Sequence, residues 1–209
     1  MPRHYPAFLN LRDKLAVVVG GGEVAERKVD LLLSCGARVR VVSLRVTPGL
    51  SRLSQSIEIV NRPYRAEDLE GALLVFAATD DPAANVAVAG EARQRGALAN
   101  VADAPDFCDF IVPSLVSRGD LQIAISTGGA SPALAKRLRR ELERAVGPEY
   151  EELAEFLGSV RERVLREVMD PDRRRAIFDQ LAGGDLLDLL RRGDRDAALA
   201  RIEALISGS

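Results

Sequence analysis

The chain has 209 residues, 47% of them hydrophobic, which is enough to bury a sizeable core and too apolar for a globally disordered chain. Its 29 basic and 31 acidic residues leave a formal charge of -2, so bulk attraction to nucleic acid or to an anionic membrane is not expected, and any anion site must be built locally. One histidine, His4, and two cysteines without ligand spacing, Cys35 and Cys108, exclude a zinc centre, so no metal site is expected, and the absence of tryptophan counts against a base-stacking surface.

The opening MPRHYPAFLNLRDK lacks a long apolar run. No later stretch reaches the roughly 20 apolar residues of a membrane span, and the expectation is a soluble, cytoplasmic protein. From Leu15 to about Val112, short runs rich in Val, Ile and Ala alternate with segments of helical spacing, the pattern of a parallel sheet with crossover helices. Strands are predicted at residues 15–19, 38–42, 57–61, 73–77 and 97–101. A helix whose apolar face includes Val24, Val29, Leu31, Leu32 and Leu33 stops at Gly36, and another over 83–95 stops at Gly96. Right-handed crossovers make this an α/β, Rossmann-type doubly wound parallel sheet.

The pattern then changes. FIVPSLVSRGDLQIAISTGG predicts an antiparallel hairpin turning at 117–120. Ser131-Pro132 opens a helix in which Leu134, Leu138 and Leu142 share a face at fourfold spacing. Beyond Gly147 the texture is helical: Leu153, Phe156, Leu157, Val160, Val164 and Val168 form one stripe, Pro171 restarts the chain, and Gly183-Gly184 and Gly193 divide the remainder. The predicted organisation is a sheet domain over 1–112, a small α+β region over 113–147 and a helical part over 148–209.

The segment LAVVVGGGEVAERK places Gly20, Gly22 and Ala25 in a G-x-G-x-x-A pattern directly after a buried strand and at a helix start, with Gly21 between. Gly20 permits the tight turn, Gly22 removes a side chain that would block a pyrophosphate, and Ala25 lets the helix approach the sheet. Amides at the helix start, with the positive end of the helix dipole, then hold phosphate. An NAD site places an acid at the end of the next strand, where this chain has Val42-Ser43-Leu44-Arg45. Arg45 is therefore either a solvated loop charge or a partner for the NADP 2'-phosphate. NAD is the expected cofactor, with NADP left open.

Five segments, GGGEVAERK, AATDD at 77–81, NVADAP at 100–105, FIVPS at 110–114 and STGGASPALAKRLRRELE at 126–143, together resemble the precorrin-2 dehydrogenase family, the siroheme synthase N-terminal module. The resemblance implies a Rossmann domain, a central dimerisation region containing the hairpin, and a C-terminal helical part, in a homodimer acting on precorrin-2. It also implies that methylation of the tetrapyrrole precursor falls to another protein.

On the same resemblance, cofactor contacts fall on Glu23, Val24, Leu44 and Arg45, beside Gly20, Gly21, Gly22 and Ser43. Thr79 and Asp80 sit at the carboxyl end of a central strand, as cofactor contacts or as part of a helix cap before Pro82. Asp103 matches the family's catalytic aspartate; by itself Asp-Ala-Pro would be read as a turn. Ser126, Thr127, Gly128 and Gly129 are the expected substrate-binding loop, with a glycine turn and helix cap as the alternative. Thr127 stands where some relatives carry serine. The basic residues Lys136, Arg137, Arg139, Arg140 and Arg144 supply carboxylate partners or form a solvated face, and are left outside the expected site. Two other functions remain open: a dehydrogenase that is also a sirohydrochlorin ferrochelatase, and a non-catalytic dinucleotide sensor.

Overall fold

The computed structural model of the protein describes residues 4–207. Its contacts divide the chain into two compact units, one ending at Val112 and one beginning at Pro113.

In the first unit, β1 (Leu15–Val19), β2 (Arg38–Val42), β3 (Glu58–Val60), β4 (Ala72–Ala77) and β5 (Leu98–Val101) form a parallel sheet in the order β3-β2-β1-β4-β5. The helices α1 (Glu23–Ser34), α2 (Pro48–Arg52) and α3 (Pro82–Gln94) lie in its crossovers. The central strand explains the sequence pattern. Alternate residues of β1 enter different cores: Ala16 and Val18 join Ala25, Val29 and Leu32 of α1, whereas Val17 and Val19 join Val88, Ala89 and Ala92 of α3. A strand buried on both faces has no polar side to show, hence the unbroken LAVVV. The strand reading holds, with β3 shorter at both ends than the predicted 57–61 and β4 and β5 displaced by one residue at their starts.

Chain direction across the sheet reverses between β1 and β4, where loops leave the two strands toward opposite sides. The paired register Val19↔Ala77 continues into Ala78 N–H donating to Val19 C=O at 2.8 Å, so the two strand ends stay level where a ligand crevice opens.

The second unit starts with the antiparallel hairpin β6 (Ser114–Arg118) and β7 (Leu121–Ile125), turned by Gly119 at φ 54°. Helix α4 (Pro132–Ala145) follows, then α5 (Glu149–Glu167), α6 (Pro171–Leu181), α7 (Gly184–Arg191) and α8 (Arg195–Ser207). The α5 stripe packs Leu153, Val160 and Val164 against Ile177 and Leu181 of α6, Leu186 of α7 and Ile202 of α8. The predicted helix with its leucine face is present in α4, and that face is largely uncovered. Its buried residue is Ala135, while Leu134 and Leu138 are 47% and 36% exposed, because the helix packs on a narrow two-stranded ribbon that cannot cover a full stripe. Among the described residues, no helix is long and apolar enough to cross a membrane.

Candidate functional site

A cleft of about 780 Å³ opens at the carboxyl edge of the sheet, lined by the turn after β1, the loops after β2 and β3, and the turn after β4. It collects Gly20, Gly21, Gly22, Glu23, Val24, Ser43, Leu44, Arg45, Thr79 and Asp80, all ten residues expected to hold the cofactor.

The three glycines have different physical reasons. Gly20 adopts φ 123°, and a Cβ there would lie 2.2 Å from the Ala78 carbonyl oxygen. At Gly21 a Cβ would lie 2.0 Å from the Arg45 carbonyl oxygen. The loop after β2 therefore leans on the glycine turn, and Thr47 N–H donates to Gly21 C=O at 3.0 Å to keep it there. Gly22 has ordinary extended backbone, and nothing lies within 4 Å of its missing Cβ. Only there does the glycine leave open space for a ligand.

That space faces a free helix end. Gly22 is the N-cap of α1, no side chain caps it, and the first bond runs from Glu26 N–H to Gly22 C=O at 3.0 Å. The amides before Glu26 thus remain available to an anion. Open space at Gly22, an uncapped helix start and flanking small residues fit a dinucleotide pyrophosphate.

The other walls are held by further side chains. Thr47 donates its hydroxyl to the Glu26 carboxylate, tying the β2 loop to α1, and also caps α2 by accepting from Leu50 N–H at 3.2 Å. After β4, buried Asn85 accepts from both the amide and the hydroxyl of Thr79, at 3.0 and 2.7 Å, and donates to the Thr79 carbonyl at 3.0 Å. Asp81 takes the cap of α3, accepting from Ala83 and Ala84 N–H at 2.9 and 3.2 Å. Of the three polar residues before Pro82, Asp81 caps, Thr79 is clamped, and Asp80 lines the cleft. Asn85 lies inside α3, where nothing in the sequence pattern separates it from a solvent-facing residue.

Below β3, Arg62 makes a two-point ion pair with Asp68 at 2.8 and 2.6 Å, and Arg65 N–H donates to the same carboxylate at 2.8 Å. The Arg62 hydrogen bonds hold the nearly buried Asp68 carboxyl below its usual range, against the opposing effect of burial. Burial and the 2.5 Å bond to Glu91 push the neighbouring Tyr64 phenol up, so it stays protonated and can only donate to that carboxylate.

Asp103 follows β5 on the same sheet edge, exposed and in the left-handed region at φ 56°. It does not line the cleft described above. An aspartate tolerates this conformation better than most residues, but it persists only when the surroundings fix it. Cys108 and Asp109 hold the end of the strand that leads into it. Val101 N–H donates to the Cys108 sulfur at 3.1 Å, and the Asp109 carboxylate takes Ala99 N–H at 2.9 Å and Arg93 at 2.8 Å.

The Ser126–Gly129 loop belongs to the second unit. Ser126 accepts from Gly128 N–H at 3.0 Å, and Thr127 exchanges bonds of 3.1 Å with the amide and carbonyl of Ser131. Ser131 is the cap of α4, accepting from Leu134 N–H at 3.2 Å. Arg137 and Arg139 pair with Glu141 and Glu143, while Lys136, Arg140 and Arg144 have no ion-pair partner among the described residues.

A parallel sheet with this switch point, an open glycine cradle and a free helix end define a Rossmann-type dinucleotide-binding protein. Comparison with known proteins agrees: residues 7–114 match a family model described as NAD(P)-binding, 118–145 one described as sirohaem biosynthesis protein central, and 149–206 one described as sirohaem synthase dimerisation region. The chain belongs to the family of precorrin-2 dehydrogenases and siroheme synthase N-terminal modules. The dimerisation-region description falls on the C-terminal helices.

The chain is 40% identical over 204 residues to siroheme synthase of Methylococcus capsulatus, covering 96% of this chain and 43% of the relative. It is 39% identical over 202 residues to siroheme synthase 1 of Serratia proteamaculans, covering 96% and 42%. The chain thus spans less than half the length of these curated relatives. Among solved structures it is similar to SirC, precorrin-2 dehydrogenase, with a TM-score of 0.77 and 27% identity, over 96% of this chain and 99% of that one.

Proposed function

We propose that this chain is a precorrin-2 dehydrogenase, oxidising precorrin-2 to sirohydrochlorin. What carries this reading is the end-to-end likeness to SirC, precorrin-2 dehydrogenase, combined with the cleft at the strand ends. When bound, NAD(P) supplies the hydride acceptor. The protein's own task is positional. Gly22 and the uncapped amides of α1 seat the pyrophosphate, and Asp80 and the clamped Thr79 border the cleft on the β4 side.

Removal of two hydrogens as hydride and proton leaves the proton to be taken by a base. Asp103 is proposed for that role, or for orienting the macrocycle. Its exposed carboxylate, on a left-handed turn directly after a strand whose end Cys108 and Asp109 hold, supports the assignment. Ser126, Thr127, Gly128 and Gly129 are proposed to meet substrate carboxylates, with the unpaired Lys136, Arg140 and Arg144 on the adjoining helix as further cations. A homodimer is proposed on the dimerisation-region match and on the exposed Leu134 and Leu138 of α4.

The test is an anaerobic assay of the purified chain with freshly generated precorrin-2 and NAD+ or NADP+, followed by sirohydrochlorin absorbance. Wild type is expected to form product only with cofactor. Asp103→Ala is expected to lose about 100-fold or more in rate while binding dinucleotide normally, the scale of a lost general base. Dinucleotide binding without any sirohydrochlorin would overturn the proposal in favour of a sensor, and adding ferrous ion to the product mixture reads out metal insertion.

A further inference from the structure

The loops after β2 and β3 form the end of the cleft away from β4, and they carry a charge pattern that the dehydrogenase reading does not use. Strands β2 and β3 are paired with Val42 opposite Val60, and Ser43 N–H donates to Val60 C=O at 3.2 Å. Arg45 therefore follows one strand end by three residues and Arg62 follows its neighbour by two, and both line the cleft.

No carboxylate stands at the end of β2. The acids lining the cleft are Glu23, at the start of α1, and Asp80, after β4. Ser43 is engaged within its own loop, donating to the Arg45 carbonyl at 2.7 Å, so it is not a ready acceptor for ribose hydroxyls. The same bond fixes the Arg45 backbone, while the exposed Arg45 guanidinium has no side-chain partner among the described residues. Arg62 is the complement: its guanidinium is locked by Asp68 and by the Pro63 carbonyl at 3.0 Å, yet its Nε–H has no acceptor among the described residues. Leu44, 69% exposed and directly before Arg45 in sequence, offers an apolar surface against which a purine face can lie.

A ribose bearing two hydroxyls finds donors here but no carboxylate to accept from it. A ribose carrying a phosphate finds one free guanidinium and one held in a fixed orientation. We infer that this cleft is selective for a dinucleotide with a phosphate on its adenosine ribose, NADP rather than NAD, with Arg45 as the principal counter-charge and Arg62 as a preset second donor. The inference rests on the dinucleotide reading of the cleft and deepens it. Asp68 offsets much of the Arg62 charge, so the two arginines are unequal, and Arg45 carries most of the discrimination.

The test is isothermal titration calorimetry of the full chain with NADP+, NAD+ and, as a fragment probe, 2'-AMP against 5'-AMP. Wild type is expected to bind NADP+ about tenfold or more tightly than NAD+, the scale of one charge-assisted contact. Arg45→Ala should remove most of that preference, lowering NADP+ affinity by a clearly larger factor than NAD+ affinity, because the added phosphate is the group that calls on the guanidinium. Arg62→Ala leaves Asp68 unpaired and is read beside Arg62→Lys, which retains a cation; in a folded variant each should reduce the preference less than Arg45→Ala does. Equal or tighter binding of NAD+ by wild type, or an Arg45→Ala loss shared by both dinucleotides, would overturn the inference and leave the dehydrogenase reading standing. Binding of neither dinucleotide would overturn both.

Discussion

The glycine-bearing turns before α1 and before α4 are finished in opposite ways. Before α1 the chain is held by backbone approach, Gly20 to Ala78 and Gly21 to Arg45, and no side chain caps the helix. Before α4 the hydroxyls of Ser126, Thr127 and Ser131 turn inward and take the amides of Gly128, Ser131 and Leu134. A turn closed by its backbone leaves amides for a ligand, whereas a turn closed by its side chains has spent most of them. The first is an anion cradle by construction; the second offers chiefly the Ser126 hydroxyl and the Gly129 amide, and draws its positive charge from α4.

The strongest way to break this contrast is Gly21→Ala. Its Cβ has no room before the Arg45 carbonyl, so the β2 loop must shift, with an expected stability loss of about 2–3 kcal/mol in a denaturant titration and loss of measurable dinucleotide binding. Next is Asp68, the nearly buried charge that holds Arg62 of the cleft wall. Its folded-state pKa lies below the unfolded one, so the stability it contributes is present above the ordinary carboxylate pKa of about 4 and is lost as pH falls further through the folded value. Asp68→Ala is expected to cost about 2 kcal/mol at neutral pH and to reduce the loss of stability on acidification, measured as unfolding midpoints across that range.

Gly22→Ala separates fold from ligand most cleanly. With open space at the Cβ and ordinary backbone, its melting temperature should stay close to wild type while dinucleotide affinity falls about tenfold, equivalent to roughly 1.4 kcal/mol. An unchanged affinity would show that the pyrophosphate lies elsewhere. The smallest effect is expected at the other turn. Ser131→Ala removes the cap of α4 and should cost about 1 kcal/mol without altering dinucleotide binding.

Much of the first unit was legible because its constraints are periodic. An apolar run buried on both faces, a glycine turn and a helix stop each leave a local mark, and Thr79 and Asp80 follow from a strand end, whereas Glu23, Val24, Leu44 and Arg45 came through family likeness. Asn85, Glu26, Thr47 and Asp109 were not legible. Each is an ordinary polar residue whose role arises from a partner distant in the chain or set by a turn, such as Thr47 reaching Glu26. The leucines of α4 show a related limit: fourfold spacing reports an apolar face, but whether that face is covered depends on the width of what it packs against. Asp103 was found through family likeness, and its left-handed backbone left no signal that a turn aspartate would not also leave.

The abutment of Gly20 on Ala78 also has a kinetic consequence. The cradle of α1 is closed by a strand end that lies three crossovers later in the chain, so its final geometry requires a distant loop closure. The hairpin and α4 close through near neighbours in sequence and have no such wait. During synthesis the glycine turn therefore emerges well before the surface that shapes it, and affinity for a dinucleotide should arrive late and abruptly, when β4 docks beside β1. Early ligand capture is thus an unsuitable nucleus for this fold, and cofactor can only reinforce a sheet already assembled.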